Sequence, residues 1–492
     1  MNGTTIHLRP LDVLLRLAAV LAFFFIVSLI FPAQGIQLSP RVTLTFPSID
    51  ALLDKPHTQA TDAFTIDCSE HRIVEVSAAE SEPDKNALLP LSCSPEQVKE
   101  LLPVQPIEYP DNSRSAMRKL FEELASLRTD KAKQVRLLHY GDSQIEADRM
   151  TMILRQQLQR EYGGGGLGYV ALNPQIPINP TVKISMSGGW QSSTPAVKYK
   201  LQKPLRVGHL LSSVRCSPKL DKPAWIKVER RPIKAYPPLR FSRVKVMLSN
   251  RSEACQVEVS TPTKTIFAGE ISADEQLQQL NLNMGSSREN ITLSFRGGAP
   301  EVYGIALDYN SGVACDNIPL RSSSGVDFGK ADAAYLAQAY NLLDVRGIVM
   351  QFGTNVVPKI VSSYAYYEEQ LYAQLTLLRR LAPQASILVV GVADMARRGS
   401  SNALESYPNI EKIRNAQRNA ALRAGCAFWD SYAAMGGKNS IVSWAYAQPS
   451  LAAKDFCHFS NVGATLMAEL LCRSLLRDLH QSEQGSNVAS VN

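Results

Sequence analysis

The eight cysteines include no Cys-x-x-Cys pair, which disfavours a zinc ribbon or a thioredoxin-like site. There is no His-Glu-x-x-His, so a zincin is unsupported. There is no Gly-x-Ser-x-Gly, so the usual nucleophile elbow of α/β-hydrolases is missing. The net charge of +7 is modest for 492 residues, and no basic run is interleaved with stacking aromatics. Nucleic acid is therefore not indicated as a partner. Histidine is scarce, with 7 in all, and that scarcity narrows the search for a general base.

What is present is globular in character: 45% hydrophobic and 20% charged residues, with length for more than one domain. Residues 13–31 are almost wholly apolar, broken by Arg16 and Ser28, with Arg9 just before. This is a secretory h-region or a single membrane anchor. Pro32-Ala33-Gln34-Gly35 lacks a clean small-x-small cleavage pattern. The expectation for residues 1–35 is thus an uncleaved anchor in the inner membrane, with the bulk of the chain periplasmic or otherwise extracytoplasmic. Residues 36–112 are rich in Pro, Ser, Asp and Glu and read as a stalk. In an oxidising compartment Cys68 with Cys93, and Cys216 with Cys255, are possible bridges. Several of the other cysteines lie in apolar segments and read as buried thiols.

The chain is organised around Tyr140-Gly141-Asp142-Ser143-Gln144. An amphipathic helix with Met117, Leu120, Phe121, Leu124 and Leu127 on one face comes first, then a short apolar strand over 135–139. After Ser143, the residues Ile145, Met150, Ile153, Leu154 and Leu158 recur at helical spacing. Ser143 is expected on a strand-to-helix turn, with a helix N-terminus behind it to favour developing negative charge. Residues 163–168 contain a formal Gly-x-Gly-x-x-Gly. It follows a helix rather than a strand, so a dinucleotide site is rejected in favour of a mobile loop.

From about 173 to 299 prolines are frequent, and short alternating strands are separated by turn residues. This predicts a β-sandwich inserted into the main domain. Between Arg206 and Lys245 basic residues outnumber acidic ones. That excess is most simply a solvated sheet face, and more sharply a contact for an anionic glycan or membrane surface. An α/β pattern then resumes. Strands are expected at 302–307, 347–352, 387–392 and 427–430, and helices at 327–343, 367–381, 410–424 and 461–479, the last capped by Ser460. Residues 481–492 read as a disordered tail. Continuous apolar strands alternating with helices mean a parallel sheet covered on both faces.

In such sheets functional groups gather at the carboxyl ends of the strands. Ser143, Asn355 and the stretch Lys454-Asp455-Phe456-Cys457-His458 all fall there. His139 lies within a strand and is expected in the core, and the other histidines fall in terminal regions or in the insertion. His458 remains as the base for Ser143, and Asp455, three residues away, can accept its Nδ1 proton. The Ser143 backbone N–H, the Asn355 amide and a third N–H could hold an oxyanion. No metal or cofactor is needed.

Gly141-Asp142-Ser143, Gly353-Thr354-Asn355 and Asp455-x-x-His458, in this order, resemble blocks I, III and V of the SGNH (GDSL-like) hydrolases. The likeness covers residues 113–173 and 301–479. It implies a three-layer α/β/α flavodoxin-like SGNH hydrolase domain in two parts, 113–173 and 301–480, with the sandwich of 174–300 inserted. It implies Ser143, Asp455 and His458 as catalytic, Asp142 as structural, and Ser143, Ser322 and Asn355 as the oxyanion hole. The second block, at 316–325, has Ser322 where the family carries glycine. The insertion resembles the carbohydrate-binding-like domain of bacterial peptidoglycan O-acetylesterases. That resemblance implies removal of O-acetyl groups from a cell-envelope polysaccharide, with the acetylated polysaccharide as partner. An O-acetyltransferase using the same triad, and a non-catalytic glycan-binding envelope protein, are the alternatives.

Overall fold

The structure, a computed structural model, describes residues 99–489 except 101, 111, 174–175, 177, 196–203, 235–237, 286–289 and 400–401, together with four short strands nearer the N-terminus. Met1–Gln59 and Ala60–Asn492 form two compact units. In the first, Ile36–Ser39 and Val42–Leu44 pair as an antiparallel hairpin. The apolar segment 13–31, Cys68 and Cys93 lie outside the described residues. Among the described residues no helix is long and apolar enough to cross a membrane.

The second unit is built on a parallel sheet. Its strands run in the spatial order Gly312–Pro319, Gln134–Gly141, Val345–Gln351, Ser386–Val390 and Ala427–Trp429, with Ile107–Glu108 antiparallel at the far edge. Taken in chain order the parallel strands are arranged 2-1-3-4-5, the flavodoxin-like doubly wound order. Period-two alternation divides their side chains between two cores. Val135 and Leu137 join Met117, Leu120, Leu154, Leu466 and Leu475 on one face. Leu138 and Tyr140 join Leu336, Leu371, Leu375 and Ile413 on the other. Helices Ser115–Ser126, Thr151–Tyr162 and Asn461–Ala489 thus cover one side. Helices Ala333–Leu342, Ala365–Leu381 and Ile410–Arg423 cover the other. This is the three-layer α/β/α architecture expected from the pattern.

Between the first two parallel strands lies a two-sheet β-sandwich. One sheet orders Thr265–Ile271, Cys255–Ser260, Ile291–Arg296, Ala224–Arg230 and Val182–Met186. The other orders Asp274–Asn283, Arg243–Asn250, Pro300–Asp308, Ser213–Arg215 and Gln191–Ser193, with Gly166–Val170 also paired to Pro300–Asp308. Val244, Val246, Val257, Leu293 and Phe295 fill the space between them.

The structure corrects several expectations. The strand at 302–307 is not a return to the parallel sheet: Pro300–Asp308 is antiparallel within the sandwich. It is buried at every position, because Val302, Ile305 and Leu307 face the sandwich core while Tyr303 and Ala306 pack on the α/β/α domain. A strand covered on both faces loses its alternation and looks parallel. The true neighbour of Gln134–Gly141 is Gly312–Pro319. The glycine run is not a mobile loop. A Cβ on Gly166 would sit 1.9 Å from Leu307 O and one on Gly168 2.1 Å from Asp316 Oδ1, so these glycines permit close backbone approach. The helix expected from 327 starts later, at Ala333, where Asp332 caps it by accepting from the Tyr335 N–H at 3.0 Å. The last helix continues to Ala489 rather than ending in a disordered tail at 481. Arg128 pairs with Glu483 across 2.9 Å and helps hold that extension. Ser460 does cap it, accepting from the Gly463 N–H at 3.1 Å. Cys216 and Cys255 are buried and unbonded, so the bridge considered between them is not formed. Both are protonated thiols in an apolar setting, pushed up by burial to about 12 and about 11.

Candidate active site

Three loops at the carboxyl end of the sheet meet at Ser143. The first parallel strand ends at Gly141, and Asp142 and Ser143 follow directly. Asp142 is buried. Its Oδ1 accepts from the Gln144 N–H at 3.0 Å and its Oδ2 from the Thr354 N–H at 3.2 Å. One carboxyl therefore ties the serine loop to the Gly353-Thr354-Asn355 loop beside it. Burial pushes this carboxyl up to about 6, against those hydrogen bonds and the charge of His458. Asn355 donates from Nδ2 to the Ser323 carbonyl at 2.8 Å, and the Leu320 N–H donates to the Gly141 carbonyl at 2.7 Å. The second-block loop is thereby tied to the other two.

The helix expected directly behind Ser143 starts later. Ser143–Asp148 is a short 3-10 turn, and Thr151–Tyr162 is the helix. Between them Ala147 and Asp148 adopt left-handed φ of 55° and 63°, each costing about 1–2 kcal/mol for a residue with a side chain. Charged contacts hold this turn. Arg155 reaches Asp148 with two donors at 2.7 and 3.0 Å, Asn179 donates to Asp148 at 2.7 Å, and Arg321 forks onto Glu146 at 2.5 and 2.7 Å.

Ser143 Oγ lies 2.8 Å from His458 Nε2, and His458 Nδ1 lies 2.8 Å from Asp455 Oδ2. Asp455 Oδ1 also accepts from the N–H groups of Cys457 and His458, both at 3.0 Å. Burial raises the Asp455 carboxyl, but the hydrogen bonds from His458 and Cys457 outweigh it and hold the group below its ordinary value. Asp455 stays ionised and can fix the imidazole tautomer. The expected histidine outside the site is confirmed as such: His139 is buried between Thr151 Oγ1 at 2.9 Å and Gln351 Oε1 at 3.2 Å, and burial lowers it to about 4.

Asn355 and Ser322 are both exposed at this edge. Ser322 has φ +63°, the left-handed conformation that explains why glycine is expected there. Among the described residues, the backbone N–H groups of Ser143 and Ser322 make no intramolecular hydrogen bond.

Sequence reasoning missed the groups that hold the histidine loop. Gln144, 3% exposed, donates from Nε2 to the Cys457 carbonyl at 2.6 Å and accepts from the Phe459 N–H at 3.2 Å. It brackets the peptide units on both sides of His458. Arg149 donates to the Phe459 carbonyl at 2.9 Å and to the Ser143 carbonyl at 2.7 Å. Cys457 and Phe459 lie more than 300 positions from Gln144 and Arg149 in sequence, so no local signal could reveal these contacts.

A serine–imidazole–carboxylate relay at the switch point of a 2-1-3-4-5 sheet, interrupted by a β-sandwich, defines the architecture of the chain. No family model matches the sequence, and no curated protein matches it significantly. Among solved structures it is similar to a peptidoglycan O-acetylesterase, with TM-score 0.61 and 18% identity over 76% of this chain and 99% of that one. It is also similar to a family two carbohydrate esterase from Cellvibrio japonicus, with TM-score 0.23 and 10% identity over 61% of this chain and 98% of that one. A family 29 carbohydrate-binding module matches at TM-score 0.20 and 11% identity over 30% of this chain and 94% of the module. The first likeness establishes the fold shared with an esterase; the other two, at such scores, add nothing to it.

Proposed function

We propose that the protein is an SGNH-type serine esterase that removes O-acetyl groups from a cell-envelope polysaccharide, most specifically peptidoglycan. The observation that carries this reading is the relay from Ser143 Oγ through His458 to Asp455, with both links at 2.8 Å. In this reading His458 Nε2 takes the Ser143 proton as Oγ attacks the acetyl carbonyl. The oxyanion of the tetrahedral intermediate is held by the Ser143 and Ser322 N–H groups and the remaining amide hydrogen of Asn355. His458 passes the proton to the departing sugar oxygen, leaving acetyl-Ser143. Water, deprotonated by the same imidazole, then releases acetate and restores the hydroxyl. Asp455 orients and stabilises the imidazolium throughout.

The peptidoglycan assignment is supported by the fold shared with an O-acetylesterase of that polymer. We place the enzyme outside the cytoplasm, anchored to the inner membrane through residues 13–31. Acetate release from O-acetylated peptidoglycan tests the function. The wild type should release acetate, and Ser143→Ala should fall to background. Equal release by the two would refute the reading, and transfer of the acetyl group to an oligosaccharide in place of release would make the protein a transferase.

A further inference from the structure

The sandwich carries a polar cavity of its own, about 420 Å³ in volume, lined by Gln191, Arg215, Ser217, Arg251 and Glu301 among others. Glu301 is 3% exposed. Its Oε1 accepts from Ser213 Oγ at 2.6 Å, and its Oε2 lies 2.6 Å from Arg251 Nη2. The cavity wall is thus a fixed carboxylate already neutralised by one guanidinium. Arg215 stands directly across from Glu301 on the neighbouring strand, so the two side chains share a face. Arg215 is exposed and, among the described residues, has no ion-pair partner.

Three of the basic residues between 206 and 245 are paired within the fold. Arg206 pairs with Glu275, Lys227 with Glu229 at 3.0 Å, and Lys245 with Asp308 at 3.6 Å. Arg215 is an uncommitted guanidinium that lines a cavity whose other charges cancel. Two arginines against one glutamate leave the lining positive. A planar guanidinium takes a carboxylate through two parallel hydrogen bonds. The Gln191 amide, the Ser217 hydroxyl and the Arg251–Glu301 pair offer donors and acceptors suited to ring hydroxyls. A cavity of several hundred Å³ suits a sugar unit rather than a bare ion.

We propose that this cavity binds an acidic sugar, a pyranose unit carrying a carboxylate, with Arg215 taking the carboxylate. The inference extends the esterase reading, since a polymer with such units would be held at a second point, yet the binding does not depend on Ser143. The test is ligand-observed NMR on the full chain, with N-acetylmuramic acid and glucuronic acid titrated against N-acetylglucosamine and glucose. The acidic sugars should bind at least about tenfold more tightly than the neutral ones, and added salt should weaken them. Arg215→Ala should lose at least about tenfold in that binding, and Arg215→Lys should recover only part, because an ammonium lacks the fork. Ser143→Ala should bind as the wild type does, whether or not the esterase reading holds. Equal binding of acidic and neutral sugars, no binding of either, or an Arg215→Ala variant with wild-type affinity would overturn the proposal. Loss of binding in Ser143→Ala would place the sugar in the catalytic site and overturn it as well.

Discussion

Gln144→Ala is the substitution that most sharply separates a positioned imidazole from a merely nearby one. Gln144 touches neither the nucleophile hydroxyl nor the imidazole through its side chain; it holds the Cys457 carbonyl and the Phe459 N–H. Truncation leaves both backbone groups without those partners. An orphaned buried group costs about 1–3 kcal/mol, and the half-exposed edge lets water repair part of the loss, which favours a total of about 2 kcal/mol. At about 2–4 °C per kcal/mol for a domain of this size the melting temperature should fall by roughly 4–8 °C. The larger effect should be on turnover. A displacement of about 1 Å in a catalytic group costs on the order of 100-fold, so kcat for a chromogenic acetyl ester should drop by about that factor while KM changes little. Gln144→Glu keeps an acceptor for Phe459 but sets a carboxylate against the Cys457 carbonyl, and should fall between. A Gln144→Ala enzyme with wild-type kcat would show that the loop holds His458 without it and refute the reasoning.

Asn355→Ala should lower kcat by about 10²–10³-fold with little loss of stability, because its side chain makes a single hydrogen bond at an exposed position; an unchanged kcat removes Asn355 from the oxyanion hole. Ser322→Gly should leave activity within a few-fold and stabilise by about 0.5–1 kcal/mol, as relief of the φ +63° strain exceeds the entropy glycine adds to the unfolded chain; a large loss of activity would mean that the hydroxyl, and not only the N–H, takes part. Arg136 is buried against Asp316 at 2.5 Å and against Asp308, where the parallel sheet meets the sandwich. Arg136→Met should cost about 3–5 kcal/mol in urea unfolding by stranding two buried carboxylates, and a cost below about 1 kcal/mol would contradict that view of the joint. Asp142 is raised by burial from 3.8 to about 6. The native state therefore binds more protons than the unfolded chain between those values, so this group's contribution to stability declines as pH rises through that window. Asp142→Asn should show a flatter stability profile from about pH 4 to pH 6, and an identical slope would refute the linkage.

The sequence carried its chemistry in places where the signal is short-range. Ser143 follows a strand directly, and Asp455 and His458 are three residues apart, so the relay could be read from motifs without knowing the fold. The doubly covered sheet was legible from its short apolar strands alternating with helices, and one of the covering helices from the apolar face that Met117 opens. What escaped was settled by contacts between distant segments. Pro300–Asp308 lost its alternation because two domains cover it. The glycines at 166 and 168 answer to the backbone at Leu307 and the side chain of Asp316. Gln144 and Arg149 act on a loop more than 300 residues away. The helix beyond residue 481 is polar and gave no periodic cue, yet Glu483 meets Arg128 there.

Covalent trapping addresses the relay most directly. Full-length protein treated with a serine-directed fluorophosphonate, digested and mapped by mass spectrometry should carry the phosphonyl adduct on Ser143, in step with loss of acetyl esterase activity. The His458→Ala variant should label far more slowly. Inactivation with the adduct on another residue, or rapid labelling of Ser143 without His458, would contradict a hydroxyl activated by that imidazole.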